Sequence, residues 1–282
     1  MTTAKIRELL PSEYSIPTLP DVVMEIQRLV NDPQVGTREI GEVVERDAPI
    51  LAKVLKFANS AFYGLAGRCT SAQHACTVLG SRTVSNIVTH VGALQVFEHL
   101  GNDSIVREIW RHSQRVGDLC GFLAKHVQSR RVLDPAEFYT YGLLHDIGKV
   151  ILIDSIGEPY LKLLGETKKG ASLIQREQNA FDLDHAQVGA FVVNTWSLPE
   201  VFGRAFLHHH GPLPEGNSDP AVMVVYLANL LDDLVESGAN QEILGKALKQ
   251  KAVSSLRIEN EDAEAVIEFA LGNEPEDADA AA

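Results

Sequence analysis

The chain has 282 residues, of which 45% are hydrophobic and 22% are charged, a composition typical of a globular protein with one large or two modest domains. No apolar run approaches the roughly 20 residues that a membrane-spanning helix requires, and the first residues lack an apolar signal segment. Composition therefore argues against transmembrane and secreted proteins, and we expect a cytoplasmic protein with no membrane partner.

The formal net charge is −13, and it is unevenly distributed. From Arg257 onward the chain has one basic and nine acidic residues. A chain with this balance and no Lys/Arg stripe is repelled by a phosphate backbone, so we expect no direct nucleic-acid binding. The cysteines, Cys69, Cys76 and Cys120, are odd in number and lack C-x-x-C spacing, which favours buried reduced thiols over disulfides or a thiolate zinc site.

Apolar residues recur at helical spacing along the first hundred residues, without a convincing run of strand alternation. The stripes are Val22, Val23, Ile26, Leu29 and Val30, then Ile40, Val43 and Val44, then Ile50, Leu51, Val54, Leu55 and Ala58. Thr37 and Ser71 are predicted helix N-caps, and Gly80 stands where a helix is expected to end. The pattern predicts an all-α fold.

The longest periodic segment runs from Ile105 to Val127, and residues 101–103 before it form the strongest interior break. We therefore predict an N-terminal helical domain at 1–104 and a second helical domain at 105–256. Helices of the second domain are predicted at about 135–147, 158–169, 172–181, 184–196, 199–210, 220–237 and 241–253. Residues 257–282 are predicted to be an acidic tail, partly disordered because its end has no apolar periodicity.

One histidine lies within the apolar stripe of the long predicted helix. The stripe consists of Ile105, Ile109, His112, Val116, Leu119 and Leu123. A buried imidazole needs a polar partner, and His112 taken alone is most simply a core histidine satisfied by a hydrogen bond. Several such residues on separate helices instead indicate a site.

Further His and Asp side chains stand at the ends of predicted apolar helices. They are His145 and Asp146 in GLLHDIGK, His185 after the predicted N-cap Asp184, His208, His209 and His210 at the close of another helix, and Asn229 or Asp232 on a later one. Nitrogen and oxygen donors without sulfur suit one or two ions of iron, manganese, nickel or zinc. Phosphoester hydrolysis is the chemistry that uses such a set.

Lys149 follows His145 by four residues and is a candidate catalytic residue. Its ammonium group would meet a phosphate as a point charge. A solvated surface lysine is the alternative interpretation.

An ordered series of motifs resembles the HDOD family, a branch of the HD phosphohydrolase superfamily related to the HD-GYP cyclic di-GMP phosphodiesterases. The C-terminal motifs are WRHS at 110–113, GLLHDIGK at 142–149, DHAQVG at 184–189, NTWSLP at 194–199 and HHHGP at 208–212. The N-terminal motifs are IPTLPDVVMEIQRLVNDP at 16–33, ERDAPILAKVLKFANSAFYG at 45–64 and HACTVLG at 74–80. The resemblance covers about residues 12–235.

The resemblance implies an N-terminal helical bundle packed against an HD-like helical domain, in a bacterial protein with a regulatory or signalling role. It also implies metal ligands, which are His112, His145, Asp146, His185, and His208 with His209. Glu108, one helical turn before His112, stands where some HD-GYP enzymes add a carboxylate for a further ion. Lys149 matches the lysine that follows their HD pair.

Two departures from the family pattern bear on activity. Asn229 stands where the last ligand is expected to be Asp, and a neutral amide is a weaker ligand than a carboxylate. Asp232 and Asp233, three and four residues further on, are the candidate substitutes. No Gly-Tyr-Pro follows the paired histidines, so hydrolysis of cyclic di-GMP is not supported.

Three functional hypotheses follow, and they leave open whether the protein is an enzyme. The favoured one is a regulator that binds another signalling protein and whose metal site is structural or sensory. The second is a metal-dependent phosphohydrolase or phosphodiesterase acting on a nucleotide or phosphoester. The third, a helical protein whose histidines are ordinary core residues, is disfavoured because each buried polar group would need its own partner.

Overall fold

The computed structural model describes residues 6–272 apart from 8, 12–13, 60–68, 102, 129–132, 168–171, 218, 251–253 and 255. Regular structure in these residues consists of helices with no strand, which confirms the predicted all-α class. The three cysteines are buried free thiols, also as predicted. Of the helices described, none combines the length and the apolar character that crossing a membrane requires.

The chain forms two compact units, which we describe separately. The first unit spans Pro17–His99, and the second comprises the segment up to Ile16 together with the chain from Leu100 onward. The helices of the first unit are α1 (Asp21–Leu29), α2 (Thr37–Val44), α3 (Ala48–Ala58), α4 (Ala72–Leu79) and α5 (Ser81–Val96).

Local hydrogen bonds place the ends of helices in the first unit. The Ser71 hydroxyl accepts from the backbone N–H of His74, which confirms Ser71 as the N-cap of α4. Gly80, with φ of +88°, ends α4 in a conformation that glycine adopts without strain. Helix α2 begins at Thr37 itself, and Gly36 takes the N-cap position instead.

Hydrogen bonds of Asn59 join the chain before residues 60–68 to the chain after them. Its carboxamide donates to the carbonyl of Cys69 at 2.8 Å and accepts from the Cys69 N–H at 2.9 Å. These bonds give Asn59 a turn-forming role. The end of the ERDAPILAKVLKFANSAFYG motif, at 60–64, lies outside the described residues.

The second unit contains the remaining helices. They are α6 (Ser104–His126), α7 (Pro135–Leu144), α8 (Ile147–Ile156), α9 (Glu158–Glu166), α10 (Leu173–Phe181), α11 (His185–Thr195), α12 (Glu200–His208), α13 (Pro220–Glu236), α14 (Gln241–Leu248) and α15 (Asn260–Gly272). Aspartate side chains accept from the first backbone N–H groups of α6, α7, α11 and α13. The single helix predicted at 135–147 ends at Leu144, because the chain turns at His145 and Asp146 before α8 begins.

Two glycines allow the helices of the second unit to approach closely. A Cβ atom on Gly142 of α7 would lie 2.7 Å from the carbonyl oxygen of Val116 on α6. A Cβ atom on Gly148 of α8 would lie 1.9 Å from the carbonyl oxygen of His185 on α11. Only glycine permits these contacts, which bring the ends of α7, α8 and α11 against one another.

The N-terminal segment packs into the second unit, in contrast to the predicted division at residue 104. Ile6 is fully buried and Leu10 is 7% exposed. The Tyr14 hydroxyl donates to Asp154 on α8 at 2.7 Å. Burial and this carboxylate raise the pKa of Tyr14, so the hydroxyl keeps its proton at neutral pH.

The predicted acidic tail at 257–282 begins with a packed helix. Val266 and Ala270 of α15 are buried, and Phe269 stacks on Phe122 of α6 with ring centroids 4.2 Å apart. Nδ1 of His126 on α6 lies 2.7 Å from Oδ1 of Asp262 on α15. These contacts attach α15 to the second unit, whereas residues 273–282 lie outside the described residues.

We expect Gly148→Ala to destabilise the protein, because the new methyl group would overlap the His185 carbonyl group. Overpacking of this kind costs up to about 3 kcal/mol of unfolding free energy, measurable by denaturant titration. Gly165→Ala on α9 is the control, since a Cβ atom there meets nothing within 4 Å. Equal stability of the two variants would contradict the close approach of α8 and α11.

Candidate metal centre

Histidine and aspartate side chains from five helices or helix ends of the second unit converge on Asp146. His145 and Asp146 form the turn between α7 and α8, and His185 is the first residue of α11. His112 lies on α6, and His209 follows the last residue of α12. His145, His185 and His209 are fully buried, and Asp146 is 1% exposed. The fold thus places a carboxylate and several imidazoles together in the largely buried interior of the second unit.

The two carboxylate oxygens of Asp146 face different groups. Oδ1 lies 3.3 Å from Nε2 of His185 and 3.3 Å from Nε2 of His209. Oδ2 lies 2.6 Å from the ammonium nitrogen of Lys149, 3.5 Å from Nε2 of His145 and 3.6 Å from Nε2 of His112. Two groups of potential metal ligands therefore share Asp146: Asp146, His185, His209 and His210, and His112, His145 and Asp146.

The opposite ring nitrogen of each of these histidines is held by an acceptor. Nδ1 of His145 donates to the carbonyl of Gly142 at 2.5 Å, and Nδ1 of His209 donates to the carbonyl of Phe206 at 2.5 Å. A carbonyl oxygen only accepts, so Nε2 of a neutral His145 or His209 ring presents a lone pair to the centre. Such outer hydrogen bonds orient histidines that bind metals.

Carboxylates hold the other two rings. Nδ1 of His185 lies 2.7 Å from Oε2 of Glu177, and Nδ1 of His112 lies 2.7 Å from Oδ2 of Asp232. Glu177 is fully buried on α10 and also accepts from the hydroxyl of Tyr160 at 2.5 Å. Each ring therefore presents Nε2 toward Asp146.

The electrostatics of the centre favour a positive charge among these donors. Burial would raise the pKa of Asp146, but the Lys149 ammonium holds it well below its ordinary value. Burial would lower the pKa of His185, but Glu177 raises it to about 9. Burial keeps the pKa of His145 well below its ordinary value, so that ring is neutral.

Two buried atoms test whether a cation fits. Nε2 of His145 and Oδ1 of Asp146 have no hydrogen-bond partner, because the 3.3 Å contacts of Oδ1 lack hydrogen-bond geometry. An unpaired buried acceptor costs free energy, and several lone pairs that face one another repel. A divalent cation beside Oδ1 of Asp146 removes the penalty at that atom, and nitrogen and oxygen donors match the transition metals. The residues present fit the predicted metal.

His208 does not join the centre, contrary to expectation. Phe202, Ala205 and Phe206 form the buried stripe of α12, and His209 continues that stripe three residues after Phe206. His208 lies about 100° away around the helix and is only half-buried. His210 takes the third histidine position instead, with its Nε2 atom 3.1 Å from Nε2 of His185.

Asp232 and Glu108 also differ from the predicted ligand roles. The Asp232 carboxylate lies behind His112 and accepts two hydrogen bonds from Arg115, at 2.7 and 2.9 Å, so its oxygens point away from Asp146. Glu108 is exposed on α6 and belongs to neither ligand group of the described residues. Asn229, in contrast, is buried in the centre, with Oδ1 3.1 Å from Nε2 of His112.

Sequence analysis missed Glu177 and His210 as parts of the centre. Glu177 lies on α10, eight residues before His185, and its only sequence signal is a carboxylate on a short helix ahead of a histidine. His210 stands in HHHGP, but the chain leaves the helical register after α12, so helical spacing does not indicate the direction of its side chain. Lys149 contacts Asp146 at the centre, and its catalytic role stays a prediction.

Comparison with known proteins identifies the class. The family model for the HDOD domain matches residues 16–212, more than half of the chain, so the chain belongs to the HDOD domain family. An uncharacterised protein of Treponema pallidum (strain Nichols) is 28% identical over 256 residues. That match covers 87% of this chain but 47% of the relative, so the chain spans about half of the relative's length.

Solved structures share the fold. A candidate phosphohydrolase from Shewanella amazonensis SB2B aligns with a TM-score of 0.71 and 21% identity, over 94% of both chains. An HDOD domain protein with unknown function from Geobacter sulfurreducens aligns with a TM-score of 0.66 and 24% identity, over 99% of this chain and 91% of the other. At these identities the similarity establishes the HD-like all-α architecture.

We expect His209→Ala to abolish binding of a divalent ion, because it removes an Nε2 atom 3.3 Å from Oδ1 of Asp146. The measurement is the metal content of protein purified without chelator. His208→Ala is the matched control, because the neighbouring ring lies outside the centre. Loss of metal from the His208 variant alone would show that α12 presents the other histidine.

We expect Glu177→Ala to weaken metal binding by about 10- to 100-fold, the usual effect of removing the carboxylate behind a ligating histidine. His185 would lose the partner of its Nδ1 atom and the orientation of its ring. Calorimetric titration with Zn²⁺ measures the change. Glu166→Ala, at an exposed carboxylate on α9, is expected to leave the affinity unchanged.

Proposed function

We propose that this protein is an HDOD signalling regulator that acts by binding another protein, and that its His/Asp centre holds a divalent transition metal in a structural or sensory role. The observation that carries the proposal is the enclosure of the donors. A catalytic ion needs a coordination position that water and substrate can reach, whereas a structural ion is closed off by protein. His145, His185 and His209 have no exposed surface.

The accessible edge of the centre supports the same proposal. The side chains of His112 and Lys149 are 15% and 12% exposed, so this edge of the centre reaches solvent. Cavities of about 380 and 470 Å³ in the described part of the second unit are lined by other residues, including Phe122 and Phe269 in one and Tyr14 and Phe191 in the other. Neither cavity borders a ligand of the centre.

Asp146, His185 and His209 would hold the metal, with Glu177 and the carbonyl of Phe206 fixing the two imidazoles. A bound ion supplies the positive charge that the converging lone pairs favour. These three ligands stand at the start of α8, the start of α11 and the end of α12. Coordination would therefore hold three helix ends together. The exposed surfaces of those helices would then differ between the metal-bound and the metal-free protein.

A metal-dependent phosphohydrolase is the second candidate function. The observation that favours it is the position of Lys149, whose ammonium group lies at the partly exposed edge beside Asp146. A phosphate group that approached this edge would meet a cation within reach of the carboxylate. Cyclic di-GMP is not the substrate we propose, because the chain lacks Gly-Tyr-Pro after the histidines.

Metal removal and an activity assay separate the two functions. We expect protein purified anaerobically to contain a transition metal that the double variant His145→Ala/Asp146→Ala lacks. Chelation is expected to lower the melting temperature by several degrees, since binding stabilises the folded state. We expect no hydrolysis of bis(p-nitrophenyl) phosphate or nucleotides with added Mn²⁺ or Fe²⁺. If the unmodified protein hydrolyses one of these substrates and Asp146→Ala abolishes the hydrolysis, the regulator hypothesis is wrong and the phosphohydrolase hypothesis is supported.

A further inference from the structure

The donors around Oδ1 of Asp146 have the spacing of one coordination face. Oδ1 and the Nε2 atoms of His185 and His209 form a triangle with sides of 3.3, 3.3 and 3.2 Å. Ligands about 2.1 Å from one ion stand about 3.4 Å apart in a tetrahedron and about 3.0 Å apart in an octahedron. The observed sides fall between these values, so one ion can contact all three atoms without movement of the helices.

The donors around Oδ2 are arranged differently. The Lys149 ammonium lies 2.6 Å from Oδ2 and neutralises the charge on that side of the carboxylate. Nε2 of His145 and Nε2 of His112 stand 3.5 and 3.6 Å from Oδ2, further than the ammonium group. The carboxylate oxygen on this face therefore offers a second cation little uncompensated negative charge.

Asn229 is the remaining polar side chain beside the Oδ2 face of Asp146. Its amide nitrogen lies 3.4 Å from the carbonyl oxygen of His209, 3.3 Å from Nδ1 of His210 and 3.4 Å from Oδ2 of Asp233. These acceptors orient the amide group, so its Oδ1 atom faces Nε2 of His112 at 3.1 Å. The two nitrogens of His112 thus face oxygen atoms of Asp232 and Asn229.

Resting on the metal centre of the proposed function, we infer that this protein binds one divalent ion through Asp146 Oδ1, His185 and His209. Asn229 leaves the face formed by His112, His145 and Asp146 Oδ2 without the carboxylate that a second ion needs. Asn229 is thus the residue that sets the number of ions. A carboxylate at position 229 would add a negative charge and an anionic ligand at this face.

The test compares Mn²⁺ binding by the full-length chain and its Asn229→Asp variant. Elemental analysis counts the ions, and electron paramagnetic resonance distinguishes an isolated Mn²⁺ from an exchange-coupled pair. We expect one equivalent with an isolated signal in the unmodified protein. We expect the Asn229→Asp variant to bind a second ion at least about tenfold more tightly, with a coupled signal. Asn194→Asp adds the same charge at an exposed position of α11 and is expected to bind one ion.

A second pair of variants identifies the occupied face. His112→Ala is expected to retain one equivalent, and His185→Ala is expected to retain none, with folding of both confirmed by circular dichroism. Two equivalents of similar affinity in the unmodified protein would overturn the inference while leaving the metal centre intact. A single equivalent in Asn229→Asp, or loss of the ion in His112→Ala, would also overturn it. Protein that binds no ion would overturn the metal centre of the proposed function as well.

Discussion

The second unit is organised around one buried charge, the carboxylate of Asp146. Removing a carboxylate from water costs several kcal/mol, and only close opposite charges and hydrogen-bond donors offset that cost. Lys149, one turn further along α8, provides the ammonium group on one oxygen. The imidazoles of His185 and His209 face the other oxygen. Because these partners come from α8, α11 and the end of α12, the position of each helix end depends on the same carboxylate.

The partners behind the rings make this arrangement specific. A histidine side chain offers two nitrogens, and a site that left both free would permit either tautomer and several ring orientations. Here backbone carbonyls hold His145 and His209, while Glu177 and Asp232 hold His185 and His112. The two kinds of partner have different consequences. The carbonyls fix the Nδ1–H tautomer of His145 and His209, whose pKa values burial lowers, whereas the Glu177 carboxylate favours a cationic ring, as the raised pKa of His185 indicates.

Helical spacing predicts most of the fold and the inner part of the centre. The apolar stripe on α6 includes His112, whose side chain is 15% exposed at the edge of the centre. The apolar run before His145 and Asp146 correctly placed both in the core. The same rule, applied strictly, also predicts His209 over His208, because 202, 205, 206 and 209 form one stripe. Glu177 and Asp232 act through contacts between separate helices, and spacing along one helix carries no information about such partners.

Domain limits were harder to predict than helices. Glycine and polar residues at 101–103 predict an interior break, and the two compact units meet in sequence at His99 and Leu100. The attachment of Ile6, Leu10 and Tyr14 to the second unit depends on contacts across more than a hundred residues, and composition does not reveal them. Acidic composition likewise suggested a tail from residue 257, although Val266 and Ala270 follow helical spacing and are buried. Charge and helix formation are compatible when one face remains apolar.

The N-terminal segment makes the second unit discontinuous in sequence. The described residues up to Ile16 belong to that unit, Pro17–His99 form the other unit, and the chain returns at Leu100. Tyr14 and its partner Asp154 are separated by 140 residues, so during synthesis the early segment has no binding surface until α8 has emerged from the ribosome. The Pro17–His99 unit has all of its own helices much earlier. A fragment cut to the HDOD family limits of 16–212 would therefore lack Ile6, Leu10 and Tyr14 as well as α13, and would expose apolar surface that the full chain keeps buried.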